Sequence, residues 1–350
     1  RTDVVDMYRY PTADPAIIQH YTQPLYVAVK LRNKVVPAGS QPVADFYIVN
    51  EEDVKGKHTL EVKLTGPEGK TLLKKEAEVD VAGGEEFGQL LLEDIKLPSL
   101  NAPGYYKVEA SLLQNGRQVT KGYDDVFVVD YLSAKGSMPA ISVIESDGMV
   151  EDFLKKSRGI SATEYKPDNA DAQVIVIGKH DHEKIDQKVV ESVLDRVSQG
   201  ATLIVLENAD HYAELIQARL RNRPAYYKGG GIVNYGNRGR QFVCHSPYLE
   251  GLPQAQSMSW EYQYFYSTNP VGRNNRVSGL QLDTRYSDWI VALGGQHTKE
   301  ILCALNRVQV GEGQVFLSTL NIVPGLSSGQ ANAVVAKKLL LNLIEQIQKP

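Results

Sequence analysis

Val174-Ile-Val-Ile-Gly178, the stretch from Ile185 to Val197, and Leu203-Ile-Val-Leu206 together decide the fold of the second half of this chain. Val174 to Ile177 is a short unbroken apolar run, the pattern of a strand buried on both faces. After it, Ile185, Val189, Val190, Val193, Leu194 and Val197 recur at helical spacing on one stripe, and Gly200 suits the end of that helix. Leu203 to Leu206 then repeats the buried-strand pattern. A buried strand, a one-faced helix and a second buried strand make the repeating unit of a parallel sheet covered by helices.

The same rhythm extends in both directions. Upstream, Ile141-Ser-Val-Ile144 reads as a strand and Gly148 to Ser157 as a short helix. Downstream, a helical stretch runs through Arg219. Trp289 to Leu293, Ile301 to Val308 and Val315 to Leu320 add strands, and a last helix runs from about Ala331 to Ile347. Residues 137–350 are therefore expected to form a mostly parallel, doubly wound α/β domain.

Before Ala134-Lys-Gly-Ser-Met-Pro139 the rhythm is different. Leu25 to Leu31, Val43 to Val49, Thr59 to Leu64, Lys70 to Val81, Phe87 to Leu97, Tyr105 to Leu113 and Val119 to Val129 are alternating or apolar runs with no helical period. Turn chemistry separates them: Pro37-Ala-Gly, Gly66-Pro-Glu-Gly, Gly83-Gly, Ala102-Pro-Gly and Asn115-Gly. Asn115-Gly116 between two alternating runs is a strong hairpin signal. Residues 23–133 are expected to form an all-β sandwich of the immunoglobulin or fibronectin kind; without paired cysteines the fibronectin pattern fits better. The opening, Arg1 to Thr22, has no basic stretch leading into an apolar run and no small-residue cleavage site. Its short helix, with Asp14 as cap and Pro15 at the first helical position, reads as the tail of a preceding domain.

Composition narrows the function. The 350 residues carry a formal charge of -4 with both signs interspersed, so no field of the nucleic-acid-binding kind is present. No apolar run approaches the roughly 18 residues that span a bilayer. Cys244 and Cys303 lie in apolar strand-like runs and offer neither a disulfide framework nor a zinc pattern.

Several motifs invite a catalytic reading. Asn50-Glu51 ends a strand, as does the acid/base pair of many retaining glycosidases, but that chemistry needs a second carboxylate about 5 Å away. The plain reading is a charged turn, continued by Glu52-Asp-Val-Lys-Gly. His180-Asp-His182 follows a buried strand at the edge where doubly wound folds bind ligands, yet no third metal ligand is signalled, and no metal or cofactor is expected. Gly229-Gly-Gly-Ile232 and Asn237-Arg-Gly-Arg240 lack the preceding strand and following helix of a phosphate site. Cys244 and His245 are neighbours in one strand, so their side chains point to opposite faces. Met258-Ser-Trp-Glu-Tyr-Gln-Tyr-Phe-Tyr266 places Trp260, Tyr262, Tyr264 and Tyr266 two apart, so in a strand they form one aromatic face. That row is a candidate for glycan stacking or a domain contact, with simple core packing as the alternative.

The chain as a whole resembles the carboxyl-terminal region of family 2 glycoside hydrolases, the group of β-galactosidases, β-mannosidases and β-glucuronidases. Val4-Val-Asp-Met-Tyr-Arg-Tyr-Pro11 resembles the segment that closes their catalytic barrel. Gln23-Pro-Leu-Tyr-Val-Ala-Val-Lys-Leu-Arg-Asn-Lys34 and Ala44-Asp-Phe-Tyr-Ile-Val-Asn-Glu51 resemble the sandwich that follows it. Gly200-Ala-Thr-Leu-Ile-Val-Leu-Glu207 and Val310-Gly-Glu-Gly-Gln-Val-Phe-Leu-Ser-Thr319 resemble a flavodoxin-like, class I amidotransferase-like domain found in some members. The resemblance rests on framework segments and covers nearly the whole chain. It implies that residues 1–22 are the tail of a catalytic barrel and that no catalytic glutamate lies in this chain. It also implies an accessory role beside that barrel and an exported, periplasmic or secreted, protein. The strand Leu203 to Leu206 leads into Glu207-Asn-Ala-Asp-His211, with neither the cysteine nor the glycines of an amidotransferase elbow. The alternatives are a carbohydrate-binding or homo-oligomerising module that uses the aromatic row, and a thiol hydrolase acting through Cys244 and His245.

Overall fold

The computed structural model describes residues 14–133, 138–168, 171–219, 233–234, 241–267, 278–280, 287–294 and 301–346. Residues 1–13, 229–232 and 237–240, which carry three of the motifs above, lie outside the described residues. The chain divides into two compact units, with the boundary between Val128 and Val129.

The first unit opens with α1 (Pro15–Thr22), whose first turn is capped by Asp14 accepting from the N–H of Ala16. Eight strands follow: β1 (Leu25–Leu31), β2 (Val35–Pro37), β3 (Val43–Asn50), β4 (Gly56–Thr65), β5 (Thr71–Val81), β6 (Gly88–Lys96), β7 (Gly104–Gln114) and β8 (Arg117–Val129). They form an antiparallel three-stranded sheet, β1-β3-β6, and a five-stranded sheet, β2-β8-β7-β4-β5. Alternation sets the faces. Leu60, Val62 and Leu64 of β4 and Val108, Ala110 and Leu112 of β7 are fully buried, while Lys63 and Glu109 pair across the same ladder on the other face. The β1-β3 face contributes Val27, Ala44, Phe46 and Ile48. The two sheets come so close that a Cβ on Gly122 of β8 would sit 1.6 Å from the carbonyl oxygen of Val27, so only glycine fits there. The turn between β7 and β8 has Asn115 at φ 51° and Gly116 at φ 75°, the left-handed pair of a two-residue hairpin. Strand β2 is not legible in the sequence, because the three residues Val35-Val-Pro37, running straight into the turn at Ala38-Gly39, are too few to show a period.

The second unit contains β9 (Ile141–Ile144), α2 (Met149–Arg158), β10 (Thr163–Glu164), β11 (Val174–Ile177), α3 (Gln187–Ser198), β12 (Thr202–Val205) and α4 (Ala209–Arg219). These are followed by β13 (Val233–Asn234), β14 (Gln241–Val243), β15 (Gln256–Ser257), α5 (Gln263–Ser267), β16 (Ser278–Gly279), β17 (Asp288–Gly294), β18 (Ile301–Val310) and β19 (Gly313–Ser318). Two helices close the unit, α6 (Ile322–Ser327) and α7 (Val334–Glu345).

Nine of these strands form one sheet, in the order β10-β9-β11-β12-β19-β18-β17-β14-β15, and β13 pairs with β16 separately. The first five are parallel and, numbered by appearance, run 2-1-3-4-5. The other four are antiparallel, so the sheet is mixed rather than mostly parallel. The reason lies in the Gly311-Glu312 turn between β18 and β19. Two residues can join only antiparallel strands, and Gly311 at φ 61° supplies the backbone shape the turn needs.

On one face of the parallel half, Ile175, Ile177, Leu203, Val205, Val315 and Leu317 pack with Val193, Leu194 and Val197 of α3 and Tyr212, Ala213 and Ile216 of α4. Val174, Val176, Ile204 and Phe316 point the other way and are equally buried, so both faces are covered. Helices α2, α6 and α7 pack in succession, and Asn342 of α7 ties down the turn at Pro247–Leu249 by donating to the carbonyls of Tyr248 and Glu250. Among the described residues, no helix is long and apolar enough to cross a membrane.

Candidate functional site

Parallel strands present their chemistry at their carboxyl edge, where strand ends give way to loops and helix N-termini. Three neighbouring exits carry the polar side chains considered for a site: Glu145 to Gly148 after β9, Gly178 to His182 after β11, and Leu206 to Asn208 after β12.

The crevice between β9 and β11 is the switch point of this strand order, and a side chain of the protein fills it. Glu145 turns back so that its two carboxylate oxygens accept the N–H groups of Val150 and Glu151, each at 2.9 Å. Those are the free donors of the α2 N-terminus, where an external anion would bind. Gly178 packs so closely that a Cβ there would lie 3.1 Å from Glu145 and from Val150. Ser146 is tied to the carbonyl of Lys179 through both its N–H (2.8 Å) and its hydroxyl (3.0 Å). The helix terminus thus holds an internal anion.

Histidine and tyrosine rings gather at the next exit. The Nδ1 of His180 lies 2.9 Å from the carbonyl oxygen of Gly178, which only accepts, so Nδ1 carries the proton in the neutral ring. Nε2 then accepts from the hydroxyl of Tyr212 at 3.1 Å. Burial pushes the Tyr212 phenol up to about 12, which keeps it a donor. His182 lies against His211, ring centroids 4.7 Å apart, and His211 meets Tyr212 edge-on at 5.5 Å. Burial holds the pKa of His211 below the usual histidine value, and the neighbouring His182 adds to the effect. The structure therefore separates the two histidines of His180-Asp-His182. The first is locked by Gly178 and Tyr212, and the second pairs with His211. Asp181 bonds to Lys184 at 2.7 Å rather than orienting either ring. Among the described residues no group of three or more His, Cys, Asp or Glu is arranged to hold a metal ion. Sequence spacing does not single out His211 and Tyr212, because they sit in the first turn of α4, where spacing alone suggests a helix face.

The third exit turns from strand to helix through a left-handed residue. Asn208 stands between β12 and α4 at φ 56°, a left-handed conformation that a non-glycine residue seldom takes. Its amide donates to the carbonyl of His180 at 3.4 Å and offers no nucleophile. Beside it, Glu207 is half-buried; desolvation raises its pKa, with Lys179 opposing and Asp147 reinforcing the shift.

The remaining candidates find structural roles. Asn50 is fully buried and exchanges two hydrogen bonds with the backbone of Val54 (2.8 and 3.2 Å), closing the loop that contains Glu51. Cys244 is half-buried while His245 is exposed, and desolvation raises the pKa of both thiols, most strongly at the fully enclosed Cys303. A thiol held in its protonated form is a poor nucleophile.

The aromatic row is not a strand. Trp260 and Tyr262 belong to a tight 3₁₀ turn, Trp260–Tyr262, and Tyr264 and Tyr266 to α5. Residues two apart on a helical path point in nearly opposite directions, so no single aromatic face forms. Tyr262 and Tyr264 are 1% and 2% exposed, and the Tyr262 hydroxyl donates to the carbonyl of Pro253.

No family model matches this chain, and no curated protein matches it. Among solved structures, a family 2 glycosyl hydrolase from Bacteroides cellulosilyticus aligns at 14% identity over 52% of this chain and 25% of its own, with a TM-score of 0.26. The putative β-galactosidase from Bacteroides fragilis aligns at 12% identity over 56% and 36%, TM-score 0.24. The CARDB domain of the PF1109 protein from Pyrococcus furiosus aligns at 15% identity over 30% of this chain and 87% of its own, TM-score 0.23. This chain therefore spans about a quarter to a third of the two glycosidases. Likeness at these scores does not establish a shared fold.

Proposed function

We propose that this chain is a noncatalytic accessory region of a glycoside hydrolase, an immunoglobulin-like sandwich joined to a degenerate amidotransferase-like domain. The observation that carries the noncatalytic part is the carboxyl edge of the parallel strands. The 2-1-3-4-5 order and the left-handed elbow at Asn208 are the framework on which such domains build a site. Yet the elbow bears an amide, the switch-point helix terminus is filled by Glu145, and both thiols are held protonated by burial. The glycosidase setting is supported by the framework resemblance of residues 4–11, 23–34, 44–51, 200–207 and 310–319. In this reading the domain stabilises a catalytic barrel, shapes the entrance to its site or mediates assembly, in an exported protein.

The test is an assay of the purified 350-residue chain with aryl β-galactosides, β-mannosides and β-glucuronides, and with glutamine. No turnover above buffer is expected. Turnover of any aryl glycoside that survives repurification overturns the accessory reading, and glutamine hydrolysis lost in Cys244→Ser revives the thiol alternative.

A further inference from the structure

The second unit holds a cleft of ≈ 450 Å³ among α2, α6 and α7 that none of the roles above uses. Its volume lies in the range that takes a small molecule. One wall is a face of α2, where Met149 and Lys156 each lie three and four residues from the adjacent pair Asp152-Phe153. Lys337 of α7 and Ser327 at the end of α6 contribute elsewhere on the lining. The segment after β8 supplies Tyr131, whose ring stacks with Phe153 at 6.4 Å and 22°. That segment is held by Asp130, which accepts the N–H groups of Leu132 and Ser133, both at 3.0 Å.

The polar lining is balanced. Asp147 and Asp152 only accept hydrogen bonds, while Lys156 and Lys337 only donate. Two charges of each sign leave no net field to reward an ionic ligand. Asp152 and Lys156 already pair with each other at 3.1 Å on the exposed rim, and Asp147 accepts the N–H of Met149 at 3.2 Å. An apolar ligand would still take water from these groups and from Lys337 with no return. Lys337 is the most constrained of the four. Its ammonium donates to the carbonyl of Ser328 at 3.2 Å and lies 5.9 Å from the centre of the Tyr131 ring, and burial lowers its pKa. An ammonium has three donors, and Ser328 engages one.

A ligand that suits this lining must donate to carboxylates, accept from ammoniums, carry no net charge and offer an apolar face to a tyrosine ring. We propose that the cleft binds a neutral pyranose, with its C–H face against Tyr131 and its hydroxyls bridging Lys337 to Asp147 and Asp152. A hydroxyl both donates and accepts, so a ring of them satisfies a mixed lining that no single-sign ligand can. The proposal rests on the accessory reading for its setting near carbohydrate, and it adds a second point of sugar contact on the α/β unit.

The test is saturation-transfer NMR on the 350-residue chain with the methyl glycosides of D-galactose, D-glucose and D-mannose at millimolar concentration. Transfer to ring C–H protons is expected from at least one of them. Apparent affinity should fall about tenfold or vanish in Tyr131→Ala and in Lys337→Met. Lys337→Met keeps the aliphatic stem, so it separates lost recognition from lost folding, with circular dichroism as the control. Absent transfer from all three glycosides, or transfer undiminished in Lys337→Met, overturns the proposal. Tighter binding of D-glucuronate than of the neutral glycosides also overturns it. None of these results involves glycoside turnover, so the cleft and the accessory role fail separately.

Discussion

Arg158 and Glu345 form an ion pair closed to solvent, with Nη2 2.8 Å and Nε 3.2 Å from the same carboxylate oxygen and the side chains 5% and 9% exposed. Arg158 ends α2 and Glu345 ends α7, and Nη1 of Arg158 also donates to the carbonyl of Leu132 at 2.8 Å. The pair therefore pins two helix ends and the segment that carries Tyr131. Removing one partner strands a charge in a dry site, which costs about 3–5 kcal/mol, whereas removing both costs much less. Glu345→Leu should lower stability by that amount, and the double change with Arg158→Met should recover most of it. Urea unfolding of the two variants checks this; a single variant within about 1 kcal/mol of the parent would show that the pair is solvated.

Glu145 makes a second prediction. Its carboxylate occupies the two α2 donors where an external anion would sit, so Glu145→Ala should do two things at once. Losing the cap should cost about 0.5–2 kcal/mol. The freed helix terminus should then bind inorganic phosphate, so the melting temperature of the variant should rise with phosphate while that of the parent stays flat. If parent and variant respond alike, the anion site is not what Glu145 fills.

The acid limb of stability should run through His211. Its folded pKa lies below the ordinary value of 6.5, first through burial and then through His182, with Glu214 and Asp210 opposing. The unfolded chain therefore binds the proton more readily than the folded one. Stability should be intact above about pH 6.5 and fall as pH drops toward the lowered folded pKa. His211→Gln should flatten that limb and leave stability above neutrality little changed. Guanidinium unfolding across this pH range, with and without the substitution, reads the difference; an unchanged slope assigns the limb to other groups.

How much of this was legible in the sequence depends on how local each signal is. Val174 to Ile177 and Leu203 to Val205 declare buried strands because every residue is apolar, and the α3 stripe declares its covered face. Asn115-Gly116 declares its hairpin because the turn demands two left-handed residues. Gly311-Glu312 holds comparable information about β18 and β19, but the strand-helix alternation of the preceding segments points to parallel crossovers instead. The site was less legible. His180 and His182 are neighbours in sequence that separate in space, and His211 reaches His182 from a different strand exit. Such a meeting depends on strand order and loop path, which no residue spacing records. Glu145 could not be read as a cap either, since it lies five and six residues ahead of the donors it satisfies.

Tyr264 shows how a period can mislead, and it supports the sharpest mutational test. The alternation from Trp260 to Tyr266 has the two-residue period of a strand, but the chain there runs through a 3₁₀ turn into α5. Tyr264 is 2% exposed and lies against α6 so tightly that a Cβ added to Gly325 would be 3.0 Å from its ring and 2.5 Å from the Cβ of Ala336. A glycan-facing tyrosine could be truncated without harm to the fold. A packed one leaves a void beneath two helices, so Tyr264→Ala should cost about 3–5 kcal/mol. Gly325→Ala, which crowds the same contact from the other side, should cost about 1–3 kcal/mol. Trp260→Ala, at a half-buried position, should cost less than Tyr264→Ala. Chemical denaturation of the three variants decides between packing and binding: a Tyr264→Ala protein as stable as its parent would return this tyrosine to the surface.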